Sequence, residues 1–436
     1  MTSPSPRLPD VDLNPRFAGY RCVLCGREEN AAFAGNVCPS CGLEGIMDGV
    51  FDLEGLRRDI TGVPAGLNFS PHGAGAMWRF AKLLPVVPTA HHPAWALGGT
   101  HLHQSPRLAE KLGIARLFLK DETGLPSASL KDRASAMAVA HARQLRRDIL
   151  ACASTGNAAA SLALLTARAG LPCHIYVPAS APMGKLAQVV LHGAQVVRID
   201  GTYDQAFELS LEQIARNDWY SRNCAHNPVL VEGKKTATLE LIWDLTQGLA
   251  DCQSSWPDAV LVPVGDGCIV SSVAKAFTEM AALGLTPPCP KIIGVQASGA
   301  APLAQAWEQC PDPQQLDGPG ILQAVAPLVP HTLADSIAVG IPRNRIKAWK
   351  YVAGSGGGFV QVDDDQIRQA IKDLAATAGV FAEPSAAAAL AGIPTALARG
   401  LIQPEDTVAV MVTGHGLKDP LAALDPEDLP APIPAS

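Results

Sequence analysis

The chain has 436 residues, 48% of them hydrophobic, and a net charge of −7 from 34 basic and 41 acidic side chains. That is apolar material for two or three domains. With no basic block or stripe, the charge balance argues against a nucleic-acid partner and against an anionic membrane surface. No uninterrupted apolar run of about 18 residues occurs, so no bilayer span is expected. The opening Met1-Thr-Ser-Pro-Ser-Pro-Arg7 lacks the basic-then-apolar order of a secretory signal. Of the 11 cysteines, seven are scattered singly in apolar or turn-like runs, where they behave as small buried hydrophobes in a reducing compartment. A soluble cytoplasmic protein is expected.

In chain order, residues 1–15 read as a flexible Pro/Ser-rich tail. Residues 16–52 hold Cys22-x2-Cys25 and, twelve residues on, Cys38-x2-Cys41. Two such knuckles offer four soft thiolates to a tetrahedral Zn²⁺. The unit has almost no core of its own, so a metal would have to hold it together. Two redox dithiols or four incidental thiols are the competing readings. Because four thiolates close the coordination sphere, the expected zinc is structural. The stretch from about 60 to 95 is irregular, and His91-His92 and His101-x-His103 read as ordinary loop residues, with no carboxylate spacing to match them.

Beyond it the pattern becomes regular. Apolar, β-branched runs at Leu117–Leu119, Ile149–Ala153, Cys173–Val177, Ala194–Ile199, Ala259–Val264, Lys291–Val295 and Thr407–Val412 predict strands. Helical stretches are expected at Asp132–Arg147, Ala158–Ala169, Pro182–His192, Tyr203–Arg216 and Ile269–Leu283. Asp363 to Asp365 would cap a further helix running to about Ala378. Strand and helix in alternation, with nearly all-apolar strands, argue for an α/β fold of parallel sheets covered on both faces. Pro311 to Pro330 and the stretch after Pro420 read as loop and tail.

Four small-residue loops follow apolar runs, where open α/β sheets place ligand contacts. The first is Pro126-Ser-Ala-Ser-Leu-Lys131-Asp-Arg133. A lysine delivered to a phosphate-cradling site is what an enzyme needs to hold pyridoxal phosphate as a Schiff base. Its amine must be neutral, which burial and neighbouring cations achieve; a surface lysine in a Lys-Asp-Arg cluster opening a helix is the competing reading. In Ala153-Ser154-Thr155-Gly-Asn157, the Asn157 amide could face a ring oxygen or merely cap a helix, while Ser154 and Thr155 could grip a substrate anion. Gly265-Asp266-Gly267-Cys268-Ile269 opens a helix and forms an anion nest suited to a phosphate. It lacks the third glycine of a dinucleotide loop, and Asp266 must point away for the nest to work. In Val412-Thr413-Gly-His415-Gly416, a Thr413 hydroxyl beside a pyridine nitrogen would favour elimination and replacement over transamination. His415 reads as a loop-bracing residue.

Taken together, these loops resemble the threonine synthases among the fold-type II, tryptophan-synthase-β-like, pyridoxal-phosphate enzymes. Supporting stretches are Gly98-Gly-Thr100, Leu119-Lys-Asp-Glu122, Ser129-Leu-Lys131-Asp-Arg133, Gly184-Lys-Leu-Ala-Gln188, Glu232-Gly-Lys-Lys-Thr236, Glu383-Pro-Ser385 and Thr413-Gly-His-Gly-Leu-Lys-Asp419. The similarity spans about 85 to 420, and many relatives carry an N-terminal zinc ribbon. It implies Lys131 as the Schiff-base residue, Asn157 at the ring hydroxyl, Gly265 to Ile269 around the cofactor phosphate, and Thr413 at the pyridine nitrogen. It also implies two open, mostly parallel α/β domains, one from 53–130 with 235–425 and a smaller one at 131–234, followed by a tail at 426–436, in a homodimer. The activity implied is conversion of O-phospho-L-homoserine and water to L-threonine and phosphate, with Ser154, Thr155 and Lys185 as candidate substrate-anion contacts. The sequence departs from the family at Ser127-Ala-Ser-Leu-Lys131, where Thr-Gly-Ser-Phe-Lys is usual, and at Asn227-Pro-Val-Leu-Val-Glu232, which is apolar where an Arg is common. Alternatives are a pyridoxal-phosphate β-replacement enzyme or dehydratase acting on serine, phosphoserine or threonine, and a non-catalytic zinc-ribbon binding protein on an enzyme scaffold.

Overall fold

The computed structural model describes residues 14–33, 35–60, 76–86, 97–248 and 256–422. The tail reading at 1–15 except its last two residues, that at 426–436, and most of the irregular stretch at 60–95 with His91-His92, fall outside it. Asn14 is anchored, its amide donating to the carbonyls of Ala81, Lys82 and Leu84.

The cysteine unit is a three-stranded antiparallel sheet in the order β2-β1-β3, from β1 (Phe17–Cys22), β2 (Glu28–Asn30) and β3 (Met47–Phe51). It does not stand alone. Phe17, Tyr20, Met47 and Phe51 join the main hydrophobic core. A short helix, α1 (Leu53–Ile60), follows.

The remainder alternates as the apolar runs require. In order come β4 (His101–Gln104), α2 (Pro106–Leu112), β5 (Arg116–Asp121), α3 (Lys131–Gln144), β6 (Leu150–Ala153), α4 (Asn157–Ala169), β7 (Cys173–Pro178) and α5 (Met183–Leu191). Next are β8 (Gln195–Ile199), α6 (Tyr203–Asn217), β9 (Tyr220–Ser221), α7 (Val229–Trp243), β10 (Ala259–Pro263), α8 (Cys268–Ala282) and β11 (Lys291–Ala297). The last are α9 (Pro302–Gln309), α10 (Gly318–Ala324), α11 (Arg345–Gly354), β12 (Gly358–Val362), α12 (Asp364–Asp373), α13 (Pro384–Ala398) and β13 (Thr407–Val412). Two sheets result. One has six strands in the order β12-β11-β10-β13-β5-β4, parallel except for β4; the other has four parallel strands in the order β8-β7-β6-β9. Every predicted strand is present; all but β8, whose residues are exposed or half-buried, are fully or largely buried and so read as continuous apolar runs.

The structure corrects two details. The stretch from Pro311 to Pro330, read as loop, contains α10, whose start is capped by the Asp317 carboxylate accepting from the Gly320 N–H. His101 and His103 are on strand β4, not in a loop, and His103 Nε2 lies 3.3 Å from Asp121 Oδ2.

The cysteine unit is fastened by buried charge. Asp48 on β3 pairs with Lys275 of α8 at 2.9 Å and Lys347 of α11 at 3.1 Å, and accepts from the Tyr351 hydroxyl at 2.8 Å. Lys275 also meets Glu232 of α7 at 2.7 Å, and Glu232 pairs with Lys235 at 2.6 Å.

Candidate active site

The site forms where β5 and β13, parallel neighbours with Asp121 opposite Val412, release their carboxyl-end loops. In an open α/β sheet that edge is where ligands bind. The two loops are zipped together: the Leu130 N–H donates to Thr413 O at 2.9 Å, and the His415 N–H to Ala128 O at 3.0 Å. Ser129 and Gly414 form a bridge. Lys131 and Thr413, remote in sequence, thereby share one edge.

Lys131 is the first residue of α3. Its neighbours are not the surface cluster that Lys-Asp-Arg could have meant. Asp132 and Arg133 are both 0% exposed. Asp132 accepts hydrogen bonds from the Ser127 N–H and hydroxyl, and Arg133 is paired with Glu122 and Glu240, each at 2.6 Å. Among the described residues no side chain hydrogen-bonds the Lys131 amine. Burial, joined by the positive charges of Lys234 and Arg222, lowers its pKa to about 8 against the pull of Glu383 and Cys224.

Asn157 opens α4, but Gly156 is the N-cap and no side-chain cap forms. The Asn157 amide instead donates to both Glu383 carboxylate oxygens, at 3.0 and 2.9 Å, and to Ser336 Oγ at 3.3 Å. Burial raises the Glu383 carboxyl above its usual value, opposed by the Asn157 hydrogen bond and by Lys131. Asn157, Lys185, Ser336, Glu383 and Lys418 line one cleft. Lys185 Nζ is held by Asp335 at 2.7 Å, so an anion there would have to compete with that carboxylate. Ser154 and Thr155 are half-buried ahead of α4; Ser154 Oγ accepts from the Gly156 N–H at 3.2 Å.

The loop from Gly265 to Ile269 ends β10 and starts α8, so the first-turn amides, Cys268 and Ile269 among them, have no intrahelical carbonyl partner. Gly267 adopts φ +89°, and a Cβ there would sit 2.7 Å from the Ala348 Cβ; only glycine meets both demands. The Asp266 carboxylate turns to the Arg343 segment, accepting from its N–H at 3.1 Å. The charge therefore has its own partner outside the nest. His415 braces its loop, Nδ1 accepting from the Leu417 N–H at 3.0 Å.

Sequence reading missed four residues that face this region. Glu383 and Lys234 enter the sequence reading only inside the Glu383-Pro-Ser385 and Glu232–Thr236 stretches, without a role, and Arg222 and Cys224 carry no spacing signal. Arg222 and Lys234 are 1% and 2% exposed, and among the described residues neither pairs with a carboxylate. A buried amine, an anion nest on a helix N-terminus and buried cations without carboxylates together fit a phosphorylated aldehyde.

In the cysteine unit the four Sγ atoms of Cys22, Cys25, Cys38 and Cys41 lie within 4.8 Å of one another. That donor set matches tetrahedral zinc.

Known proteins agree on the class. Residues 95–414 match the family described as "Pyridoxal-phosphate dependent enzyme". The chain is 33% identical to the threonine synthase of Methanosarcina acetivorans over 95% of this chain and 96% of that one. It is 36% identical to the threonine synthase of Mycobacterium leprae over 83% and 93% respectively. The structure resembles that of threonine deaminase isoform 2 from Solanum lycopersicum, with a TM-score of 0.58 at 25% identity over 72% of this chain and 79% of that one. The class is thus the pyridoxal-phosphate-dependent lyases of fold-type II. Within it, the chain belongs to the threonine synthase family.

Proposed function

We propose that this protein is a pyridoxal-phosphate-dependent threonine synthase, converting O-phospho-L-homoserine and water to L-threonine and phosphate. The observation that carries the reading is the Lys131 amine, desolvated, free of hydrogen-bond partners among the described residues, and one loop away from Thr413. When bound, pyridoxal phosphate supplies an aldehyde for exchange with an amine and a conjugated ring that stabilises negative charge at the substrate Cα. Lys131 would hold the cofactor covalently and, once displaced by substrate, move the proton first at Cα and then at Cβ. The amides of Gly265 to Ile269, with Asp266 turned outward, would hold the cofactor phosphate. Asn157 would lie along the ring oxygen, oriented by Glu383, and Thr413 beside the ring nitrogen without enforcing its protonation. Ser154, Thr155 and Lys185 are proposed for the substrate's anionic groups.

The coarser organisation belongs to the same proposal. A large α/β domain at 53–130 with 235–425 and a small one at 131–234 are supported by each sheet's strands falling within one of those spans. Zn²⁺ on Cys22, Cys25, Cys38 and Cys41, a homodimeric assembly and a cytoplasmic location complete it; among the described residues no helix is long and apolar enough to cross a membrane.

Borohydride reduction followed by peptide mapping should place a pyridoxyl group on Lys131. Because the depressed pKa leaves the amine neutral above about 8, the rate of cofactor capture should rise through that pH and then level. An unmodified Lys131 in a fully loaded, active preparation would sink the assignment. The apolar Val229, Leu230 and Val231, each no more than 2% exposed, leave room for a second reading: a dehydratase or β-replacement enzyme with another substrate. Phosphate release from phosphohomoserine supports the first reading; its absence alongside oxoacid formation from threonine supports the second.

A further inference from the structure

Cys224 and Cys268 come from different segments and meet beside the site. Cys224 is half-buried between β9 and α7; Cys268 is buried as the first residue of α8. They pack in a small cluster with Ala225 and Val231. The Lys234 amine, reaching across from α7, approaches the Cys224 sulfur at 2.6 Å. A lysine with no carboxylate partner among the described residues, a partly exposed sulfur and a second thiol against it are the parts of a reactive dithiol. A hydrogen bond from the Cys268 thiol, and then the charges of Lys234 and Arg222, hold the Cys224 thiol well below its usual range despite burial. The same contact and burial push Cys268 well above it. Cys152, by contrast, is pushed up to about 11 by burial.

We propose that Cys224 and Cys268 form a hydroperoxide-sensitive dithiol, with Cys224 the attacking sulfur and Cys268 the resolving one. The Cys224 thiolate attacks one peroxide oxygen. The O–O bond breaks, the other oxygen leaves as alkoxide or hydroxide and takes a proton from water, and Cys224 becomes a sulfenic acid. The Cys268 sulfur then attacks the Cys224 sulfur and the S–O bond breaks. The departing hydroxide takes the Cys268 proton and leaves as water. Two thiols are thus oxidised to one disulfide while one peroxide is reduced to an alcohol, or water, and water. The bridge ties the loop opening α8 to the chain ahead of α7 and removes a negative charge from beside Lys131 and Lys234. Weakened hold on the cofactor would follow; that consequence rests on the phosphate-loop reading above, whereas formation of the bridge does not.

The test uses the full-length loaded protein, a small excess of hydrogen peroxide, alkylation of remaining thiols and non-reducing peptide mapping. A linked peptide pair containing Cys224 and Cys268 is expected, reversed by dithiothreitol and absent from both Cys224→Ser and Cys268→Ser. Cys268→Ser should instead accumulate a Cys224 sulfenic acid trapped by dimedone. Lys234→Met should slow the reaction at least tenfold at neutral pH. Cys224 recovered fully alkylated after peroxide, or carried to sulfinic acid with Cys268 still free, would overturn the proposal. Cofactor absorbance is followed in the same samples: a bridge that forms with no cofactor loss upholds the dithiol and counts against the phosphate-loop reading alone.

Discussion

Ala128 adopts φ +61° in the loop that delivers Lys131. The left-handed region costs an L-residue roughly 1–2 kcal/mol, and the position tolerates that cost because both sides are fixed. The Ala128 N–H donates to Leu125 O at 2.7 Å, and its carbonyl accepts from the His415 N–H at 3.0 Å. The family resemblance puts glycine here, which takes the conformation freely. Ala128→Gly should therefore stabilise the protein by up to about 1.6 kcal/mol, once the about 0.4–1 kcal/mol of extra unfolded-chain freedom is subtracted. Chemical denaturation would register a higher midpoint at unchanged slope. A β-branched Val at the same place should destabilise it and displace Lys131, with loss of bound cofactor. A lower midpoint for the glycine variant would mean that the loop is not strained at this residue.

At the level of elements, the ion network under β3 makes a sharper claim. Burial alone would raise the Asp48 carboxyl, but Lys275 and Lys347 outweigh it and hold the group below its usual value. Asp48→Ala would leave the buried Lys347 ammonium without a carboxylate and Lys275 with Glu232 as its main partner, and breaking a buried pair typically costs about 3–5 kcal/mol. The sign with pH follows from the depressed pKa: the contribution is complete above the ordinary carboxylate range and is lost as pH falls below it. Acid titration of wild type and Asp48→Ala should thus show their stabilities converging at low pH; parallel curves would refute the pairing. These helices also show what sequence could carry. The buried strands and α3 to α6 were legible because their apolar residues follow the period of one face or fill a run. α7 was not, since it is buried on nearly every side and its Glu232, Lys234 and Lys235 are sunk into ion pairs and a thiol contact. α13 escaped for another reason: seven of its 15 residues are alanine, it is buried all round from Pro384 to Ile393, and Pro394 lies inside it. Among site residues, Lys131 and the Gly265–Ile269 loop were visible from local spacing. Glu383 as the partner of Asn157 was not, because that contact spans 226 positions and exists only after folding.

For the molecule as a whole, the question is whether the cysteine unit is an appendage or part of the body. Its small size and thiol-rich composition suggest a module held by metal alone. Its position says otherwise: Phe17, Tyr20 and Phe51 are in the main core, Arg345 reaches Glu44 at 2.9 Å, and Lys347 donates to Met47 O at 2.8 Å. With zinc on the four cysteines as proposed, metal binding, ribbon folding and neutralisation of Lys275 and Lys347 would be one cooperative event. Stripping zinc with a chelator should unfold the ribbon, expose those lysines and lower the melting temperature by several degrees. In the stripped protein Asp48 no longer reaches its partners, so Asp48→Ala should add little further loss. Thermal unfolding of wild type and variant, each with and without zinc, forms a cycle whose interaction energy reads this directly. A strongly sub-additive result joins the ribbon to α7, α8 and α11 energetically. Full additivity would mean that the metal stabilises the ribbon without coupling to the helices that frame the active site.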